Sequence, residues 1–339
     1  MTRFVTGGAG FIGGRLVRTL AARGLAASTI CLVRTSAQAA ALQPLGVRVV
    51  VGDLAAPAPW RQALDGVEIV YHLAACVRYG LRGAAGAPFD RENVEGTRAL
   101  LESCPATVRR FIQMSTINAV ERPPGDPATH PLTEESPACP QTPYGQSKWK
   151  AEQVVRQVAE AKRIPFLILR PPSLVYGAGC RRDSGMATVI QSVASRSLMT
   201  ALNWPGRFSL IHVQDLVEAT IALGGSATLA NATFFLCQEP PVTLGELADA
   251  IASQLGIARR RVRLPGPLYA AANGACTLLA WVPGLGRRIP FQLLMLLRDQ
   301  AAVSSQSARM LAGFTTRISL AEGLRDTIPW VLTAETTHG

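Results

Sequence analysis

The sequence predicts an α/β fold in which helices cover both faces of a doubly wound parallel sheet. Two observations support this prediction. Strand-like and helix-like segments alternate at short intervals through the first half of the chain, and a glycine-rich turn separates the first strand from the first helix. Alternation at this spacing indicates parallel strands, because each connection crosses the sheet through a helix. A chain of 339 residues, 48% of them hydrophobic, can bury the core that such a fold needs.

Strand-like apolar runs recur through the first 170 residues, at Arg3–Thr6, Thr29–Val33, Val47–Val51, Val67–Leu73, Phe111–Ser115 and Phe166–Leu169. The helical patterns between them are Ile12–Ala22, Glu92–Cys104 and Gln146–Ala161. After Pro171 the alternation loosens, with strand-like Phe208–His212 and Thr233–Leu236 on either side of helical Val213–Leu223. Thr243 and Glu246 have the spacing of a capping box. We predict a main domain over residues 1–175 and a smaller mixed C-terminal lobe over 176–339, with about 207–237 returning to the main sheet.

The formal charge of +11 comes almost wholly from arginine, since lysine occurs only at positions 148, 150 and 162. The basic residues are scattered, whereas a nucleic-acid-binding protein concentrates them on one face or in a tail. We therefore expect anionic small molecules, and no nucleic acid, as partners. The seven cysteines include no Cys-x-x-Cys pair and no histidine at metal-ligand spacing. This argues against disulfides and against a metal site, and it favours a cytoplasmic location.

One long apolar stretch bears on whether the chain contacts a membrane. No charged side chain occurs from Leu264 to Gly286, and Phe291–Leu297 is again apolar. Prolines and glycines interrupt the first run, and a spanning helix needs about 20 apolar residues, so we predict no membrane span. Residues 264–297 then line an apolar substrate pocket or pair subunits, and peripheral membrane contact is the alternative. The first strand-like run begins so close to Met1 that we predict no signal peptide.

The turn between the first strand and the first helix has the glycine spacing of a dinucleotide-binding site. It reads TGGAGFIG over residues 6–13. Gly7 permits the tight turn, Gly10 lets the backbone approach a pyrophosphate, and Gly13 lets helix and strand pack closely. The amides of Phe11 and Ile12 then face the phosphates from a helix N-terminus, where the helix dipole favours anions. A glycine triplet alone is weak evidence, but its place between a strand and a helix predicts a Rossmann domain.

The end of the second strand bears on how the adenosine ribose is bound. NAD sites usually place an Asp or Glu there, which accepts from the ribose hydroxyls and repels a 2′-phosphate. Residues 32–36 read LVRTS, with the cation Arg34 and no acid. This favours NADP(H), with NAD(H) as the alternative if Arg34 is only a solvated surface residue. Asp53, after the third strand, either accepts from the adenine amino group or caps a helix before Pro57.

Tyr144 and Lys148 are four residues apart and therefore share one face of a predicted helix. A free tyrosine has a pKa of about 10. A nearby ammonium group and a positive nicotinamide both favour phenolate, so the pair can move a proton near neutral pH. The lysine can also hold the nicotinamide ribose. This spacing often occurs by chance on surface helices, but here it follows the glycine turn at the right stage of the sheet.

Thr116 follows the fifth strand, at the carboxyl edge where such sheets bind ligands. Its hydroxyl could hold a substrate oxygen near Tyr144, and Ser115 is the competing candidate. Asn93 could anchor its helix, could hold a water chain behind Lys148, or could simply start the helix. Further candidate pocket residues, each of which could equally belong to a loop or the core, are Arg78, Tyr79, Tyr176, Arg181 and Trp204.

These motifs resemble the extended short-chain dehydrogenase/reductases, the NAD-dependent epimerase/dehydratase group. The matching segments run in order: TGGAGFIG at 6–13, GDL at 52–54, HLAA at 72–75, NVEGT at 93–97, MSTI at 114–117, YGQSK at 144–148, RPPSLVYGAG at 170–179 and IHVQDL at 211–216. The resemblance implies a catalytic set of Thr116, Tyr144 and Lys148 with Asn93, and a homodimer through helices near 92–104 and 146–161. It implies cofactor contacts at Gly7, Gly10, Phe11, Ile12, Gly13, Arg34, Asp53, Leu54, Leu73, Ala74, Ala75, Ser115, Tyr144, Lys148 and Pro171.

The residues after the fifth strand help to choose among the reactions of that family. Nucleotide-sugar dehydratases usually show Thr-Asp-Glu there and many epimerases continue to Val-Tyr-Gly, whereas residues 116–121 read TINAVE. The LVRTS strand end, the apolar residues 264–297 and the closing segment from Ser319 to Trp330 look more like the 3β-hydroxysteroid dehydrogenase and dihydroflavonol reductase-like branches. We therefore expect NADPH-dependent reduction of a ketone, or the reverse alcohol oxidation, on a largely apolar small molecule. The alternatives are a nucleotide-sugar epimerase with retained NAD and, with less support, a non-catalytic dinucleotide-binding protein.

Overall fold

A seven-stranded parallel sheet forms the centre of the main domain. The computed structural model describes residues 1–77, 89–123, 130–204, 206–263, 265, 267 and 302–333. The strands of this sheet are β1 Thr2–Thr6, β2 Thr29–Val33, β3 Arg48–Val51, β4 Val67–His72, β5 Arg110–Met114, β6 Phe166–Arg170 and β10 Ala232–Phe235. They lie in the order β3-β2-β1-β4-β5-β6-β10, and all neighbours run parallel. The predicted doubly wound α/β fold is confirmed.

Helices cover both faces of this sheet. Those of the described chain are α1 Phe11–Ala22, α2 Ser36–Leu42, α3 Gly96–Ser103, α4 Pro143–Ala161, α5 Gly185–Ala194, α6 Leu198–Ala201, α7 Val213–Gly225, α8 Leu244–Leu255, α9 Gln306–Ala312 and α10 Leu320–Leu332. Helices α1 and α7 pack in the core on one face, and α3 and α4 pack in the core on the other. Burial on both faces explains why β2, β5 and β6 have no exposed residue.

The predicted elements of the first half lie within about three residues of the observed ones, with one difference that matters for the site. Helix α4 begins at Pro143, three residues before the predicted start, so Tyr144 lies in its first turn. Thr142 caps the helix by accepting from the Gly145 amide at 3.0 Å. Proline at the first helical position has no amide hydrogen to leave unpaired. A single π-helical turn, Asp90–Glu95, leads into α3 and carries Asn93.

A smaller mixed sheet forms the second lobe. Its strands are β7 Leu174–Tyr176, β9 Arg207–His212 and β11 Gln238–Thr243, in the order β11-β9-β7. Strands β8 Leu202–Asn203 and β12 Val262–Arg263 form a separate parallel pair. Strand β9 runs parallel to β7 and antiparallel to β11. Helices α5, α8 and α10 pack against this sheet around a second core. The predicted capping box at Thr243 and Glu246 opens α8.

The segment expected to return to the main sheet, residues 207–237, divides between the two lobes. Strand β9 joins the small sheet, contrary to that expectation, because Phe208 and Leu210 bury their side chains in the second core. Helix α7 and strand β10 do return. Strand β10 pairs with β6, where Ala232 lies opposite Leu167.

Within the described ranges, no helix combines the length and the apolar character needed to cross a bilayer. Across the same residues, no three His, Cys, Asp or Glu side chains come together as metal ligands would. The apolar residues 264–297, on which the alternative of peripheral membrane contact depends, lie outside the described residues apart from positions 265 and 267.

Candidate active site

The order of the strands places a crevice between the carboxyl ends of β1 and β4. The chain leaves these two neighbouring strands toward opposite sides, and ligands of open α/β sheets bind at such a point. Gly7, which follows β1, has a φ of +73°. A Cβ atom at Gly7 would lie 2.6 Å from the amide nitrogen of Ala74, which follows β4. Glycine is therefore required here by both the backbone conformation and the approach of the two loops.

The first helix points its N-terminus into this crevice. Gly10 is the N-cap of α1 and offers no side chain to the amides of the first turn. Those amides are left for a ligand, and the helix dipole favours a negative one. A Cβ atom at Gly13 would collide with the carbonyl oxygen of Gly7, so Gly13 allows α1 to lie against the turn. The predicted phosphate-binding residues Phe11 and Ile12 begin this helix.

A cavity of about 380 Å³ extends from the glycine turn across the ends of β2, β3 and β4. Eight of the predicted cofactor contacts line it: Gly7, Gly10, Arg34, Asp53, Leu54, Leu73, Ala74 and Ala75. It combines a helix N-terminus, glycines without side chains and short apolar walls, which suits the pyrophosphate and adenosine parts of a dinucleotide. The residues present therefore fit an NAD(P) group.

Charged side chains surround the end of the cavity formed by β2 and β3. Arg34 Nη2 donates to Glu92 Oε2 at 2.8 Å, and Arg91 forms an ion pair with Asp53. Asp53 also accepts from the Ala55 amide at 3.0 Å. These bonds, that from Arg91 first, lower the pKa of the Asp53 carboxyl below its ordinary value. Asp53, the predicted adenine acceptor, is thus fully ionised at neutral pH, and it is already paired with the Arg91 side chain.

Tyr144 lies beside the segment that carries Thr116. Residues Ile117–Ala119 form a 3₁₀ turn, and Thr116 caps it by accepting from the Asn118 amide at 3.3 Å. A Cβ atom at Gly145 would collide with the Asn118 carbonyl oxygen. Glycine at position 145 therefore lets the first turn of α4 lie directly on the turn that Thr116 opens. The predicted pair Thr116 and Tyr144 belongs to two touching segments at the carboxyl edge of β5.

Lys148 lies one turn further along α4 and is wholly buried. Its side chain is 2% exposed, and Nζ donates to the Met114 carbonyl oxygen at the end of β5 over 2.7 Å. Desolvation lowers the pKa of the ammonium group from its ordinary 10.5 to about 8, against the opposing attraction of Glu152. The ammonium group is therefore held at the carboxyl end of β5, one helical turn along α4 from Tyr144.

Glu152, one turn beyond Lys148, is a buried anion that the motifs did not predict. Its side chain has no exposed surface. Arg170 binds it through two bonds of 3.0 and 2.7 Å, and the Ser115 hydroxyl donates to it at 2.5 Å. Ser115, predicted as a cofactor contact and as the rival of Thr116, thus directs its hydroxyl into the protein. Tyr144, Lys148 and Glu152 share one face of α4.

Asn93 joins the π-helical turn to α4. Its Oδ1 accepts from the Cys76 amide at 2.7 Å, and its Nδ2 donates to Ser147 Oγ at 2.8 Å. Ser147 Oγ in turn donates to the Tyr144 carbonyl oxygen at 2.8 Å. These bonds fix the loop after β4 against the first turn of α4, while the role of Asn93 in a reaction stays a prediction.

A chain of hydrogen bonds through His72 connects Asn93 to the start of the glycine turn after β1. The Thr97 hydroxyl donates to the Asn93 carbonyl oxygen at 2.6 Å, so His72 Nε2 must be the donor to Thr97 over 2.8 Å. Burial lowers the pKa of His72 to about 3, so its Nδ1 carries no proton and accepts from Thr6 over 2.6 Å. Thr6 Oγ1 then accepts from the Ala74 amide at 3.2 Å. This assignment of the tautomer follows from the bonding partners.

Tyr176 and Trp204 are buried in the core of the second lobe, and Arg181 pairs with Asp183. Pro171 is buried, and its carbonyl oxygen accepts from the Ile117 amide at 3.0 Å. Arg78 and Tyr79 lie outside the described residues. Sequence reasoning missed Glu152, Glu92 and His72. For Glu152, a signal was available in the sequence. It is a glutamate at a core-facing position of α4, and the apolar strand β6 ends in an arginine, Arg170.

Fold and site together define a dinucleotide-binding domain that carries a tyrosine and a lysine on one helix at the edge of its sheet. The family model described as the NAD dependent epimerase/dehydratase family matches residues 3–229, and the chain belongs to that family. The description of the family gives its enzymes as NAD-dependent. The finer branch expected from the strand end and the closing segment stays a prediction.

Two relatives align with this chain over nearly its full length. A ceramide reductase of Caulobacter vibrioides is 29% identical over 96% of this chain and 93% of its own. A 4-hydroxy-2-methyl-3-oxo-4-farnesyl-3,4-dihydroquinoline-1-oxide ketoreductase of Stigmatella aurantiaca is 27% identical over 96% and 95%. A UDP-glucuronic acid 4-epimerase from Bacillus cereus, solved in complex with NAD, superposes with a TM-score of 0.75 over 98% and 99% at 19% identity. This last likeness shows the shared fold.

The contact between Gly13 and Gly7 predicts opposite outcomes for two neighbouring glycines. Gly13→Ala should lower the free energy of unfolding by about 1–3 kcal/mol, because the new methyl group meets backbone that has to shift. Gly14→Ala is the matched control: its methyl group would meet mainly the flexible end of Arg18, at 3.1 Å. That variant should be neutral or slightly stabilising, since alanine favours a helix over glycine. Urea unfolding of both variants measures the difference, and equal stabilities would contradict the packing described here.

The buried pair of Lys148 and Glu152 predicts an unusual titration. The chain has only three lysines, so ¹³Cε-lysine labelling gives three NMR signals, which Lys150→Arg and Lys162→Arg assign. The Lys148 signal should titrate near pH 8. In Glu152→Gln its midpoint should move to lower pH, because the attraction that stabilises the ammonium form is lost. Glu152→Asp keeps the charge and should keep most of the wild-type titration.

Glu152→Gln leaves Arg170 buried without its counter-ion, which can cost about 3–5 kcal/mol. A second variant, Glu152→Gln with Arg170→Met, removes both charges and serves if the first does not fold. A Lys148 midpoint near 10.5 in the wild type, or one that Glu152→Gln does not lower, would show that the ammonium group is not held as described.

Proposed function

We propose that this chain catalyses NADPH-dependent reduction of a ketone, or the reverse alcohol oxidation, on a largely apolar small molecule. The observation that carries the proposal is the buried Lys148, which places a positive charge one helical turn from Tyr144 at the edge of the sheet. The Thr116 turn lies against the same first turn of α4. A phenol, a cation and a hydroxyl thus lie on neighbouring segments at the carboxyl edge of β5, an arrangement that suits carbonyl chemistry.

The dinucleotide supplies a hydride when bound. The residues of this chain handle the oxygen and the proton. Thr116 Oγ1 accepts from the Asn118 amide, so its own hydrogen can donate to the substrate oxygen and orient it. Tyr144 then donates its phenolic proton to that oxygen as negative charge develops there. The Lys148 ammonium group stabilises the phenolate that remains, because an opposite charge nearby favours the charged form. Asn93 and Ser147 keep the first turn of α4 in place throughout.

Preference for NADP(H) over NAD(H) is part of the proposal. Strand β2 ends at Val33, and the next residues are Arg34, Thr35 and Ser36, with no acid. Thr35 caps α2 by accepting from the Gln38 amide at 3.3 Å, which leaves Arg34 as the charged group of this turn. Arg34 lines the cavity, and a guanidinium group matches the geometry of a phosphate.

An apolar substrate is supported by the names of two relatives that match this chain over nearly its full length. One is named for ceramide, which is a lipid, and the other for a farnesyl-bearing quinoline ketone. We further propose that the apolar residues 264–297 line the substrate side of the site. A cytoplasmic homodimer through the helices near 92–104 and 146–161 belongs to the same proposal.

Replacement of the phenol tests this proposal directly. Tyr144→Phe should lower the rate of ketone reduction by about 100-fold or more, because it removes the proton donor, while NADPH still binds. Tyr71→Phe is the matched control, since Tyr71 is buried in the core beneath α7 and takes no part in the site. The assay follows NADPH and NADH oxidation with a panel of ketones that runs from small polar to long-chain and polycyclic compounds.

Three outcomes decide the matter. Turnover with apolar ketones that Tyr144→Phe abolishes supports the reductase. If the protein interconverts nucleotide sugars, consumes no net cofactor and turns over no ketone, the reductase proposal is wrong and the protein is an epimerase. Tight dinucleotide binding with neither activity, unchanged in biological effect by Tyr144→Phe, would indicate a non-catalytic protein.

A further inference from the structure

Four charged side chains alternate in sign at the end of the cavity formed by β2 and β3: Arg34, Glu92, Arg91 and Asp53. We name these four residues the charge cluster. Arg34 pairs with Glu92 at 2.8 Å, and Arg91 pairs with Asp53. Asp53 also feels the field of Arg34, and Arg91 feels that of Glu92. The four formal charges cancel, so this end of the cavity is not simply cationic.

Glu92 is the member of the charge cluster that bears on the cofactor. It lines the cavity together with Arg34. Its side chain is 20% exposed, whereas that of Arg34 is 64% exposed. The carboxylate therefore lies deeper and the guanidinium group reaches in to it from the surface. Glu92 comes from the π-helical turn, 58 residues beyond Arg34, whereas an acid is normally sought at the end of the second strand.

A carboxylate and a 2′-phosphate compete for Arg34. Both are anions that a guanidinium group binds through paired N–H donors. A bound 2′-phosphate next to Glu92 would also lie beside a like charge. Arg34 can therefore serve the phosphate only by leaving Glu92, or by sharing itself between two anions that repel each other.

We propose that Glu92 is a specificity-determining residue: its carboxylate is the counter-ion that a 2′-phosphate must displace from Arg34. The inference rests on the proposed function in one respect, that Arg34 faces the adenosine ribose. It follows that the preference for NADP(H) is weaker than Arg34 alone would give, and that removing the Glu92 charge strengthens it.

The test uses two nucleotides that differ only in the 2′-phosphate, adenosine 2′,5′-bisphosphate and adenosine 5′-monophosphate. Isothermal titration calorimetry on the full chain gives the ratio of their dissociation constants without any enzyme assay. An exposed ion pair is weak, so Glu92→Gln should raise the preference for the bisphosphate by about threefold to fivefold. Glu95→Gln removes the same charge from an exposed position of the same turn and should change the ratio by less than about twofold.

Arg34→Gln and the double variant Arg34→Gln with Glu92→Gln complete the set. Arg34→Gln should lower the preference for the bisphosphate. The double variant should match Arg34→Gln alone, because a counter-ion has no effect once the cation is absent.

Each contrary result has a distinct meaning. If Arg34→Gln lowers the ratio but Glu92→Gln leaves it unchanged, the role of Glu92 is overturned and the proposed NADP(H) preference stands. If Arg34→Gln changes nothing, the NADP(H) preference itself fails. A gain that persists in the double variant would show repulsion at a distance instead of pairing. Weaker binding of the monophosphate in Glu92→Gln, without a gain for the bisphosphate, would show that Glu92 holds the ribose hydroxyls and would also overturn the inference.

Discussion

A positive charge held away from water is the constraint on which the rest of the site depends. In the proposed reaction Lys148 assists Tyr144 as an ammonium ion, yet it is buried, and burial disfavours that form. The protein offsets this with the Met114 carbonyl oxygen and with Glu152 one turn away. Glu152 is itself buried and needs Arg170 as a partner. An alternating series of charges thus runs from α4 into β6, and it positions the face of the helix that carries Tyr144 and Lys148 against the sheet.

The same helix is tied to the cofactor cavity by neutral groups. Asn93, Thr97, His72 and Thr6 form a continuous series of hydrogen bonds from the first turn of α4 to the loops that line the cavity. Each member is buried, and each hydroxyl in the series both donates and accepts. A histidine with its pKa lowered to about 3 suits this place, because it stays neutral at every physiological pH. The glycine turn over residues 6–13 and the first turn of α4 are therefore fixed relative to each other.

The sequence was enough to predict the parallel sheet and the glycine turn, because both depend on local periodicity and on short-range turn chemistry. It was weaker where partners are distant in the chain. Strand β11 contains Pro240 and Pro241 and was not predicted, although prolines are tolerated at the edge position it takes. Strand β9 has the pattern of any buried strand, so the sequence pattern could not predict which of the two sheets it joins. The contacts of Ser115 with Glu152 and of Arg34 with Glu92 join residues far apart in the chain, so only the three-dimensional structure reveals them.

In the proposed reductase the transferred hydride stays on the product, while Tyr144 supplies the proton. A test uses NADPH deuterated at the transferring position together with the ketone that the wild-type enzyme turns over fastest. We expect one deuterium at the carbinol carbon of each product molecule, one NADP⁺ released per turnover, and loss of both in Tyr144→Phe. Product without deuterium, or a cofactor that stays bound and is recovered reduced after many turnovers, would contradict the proposal.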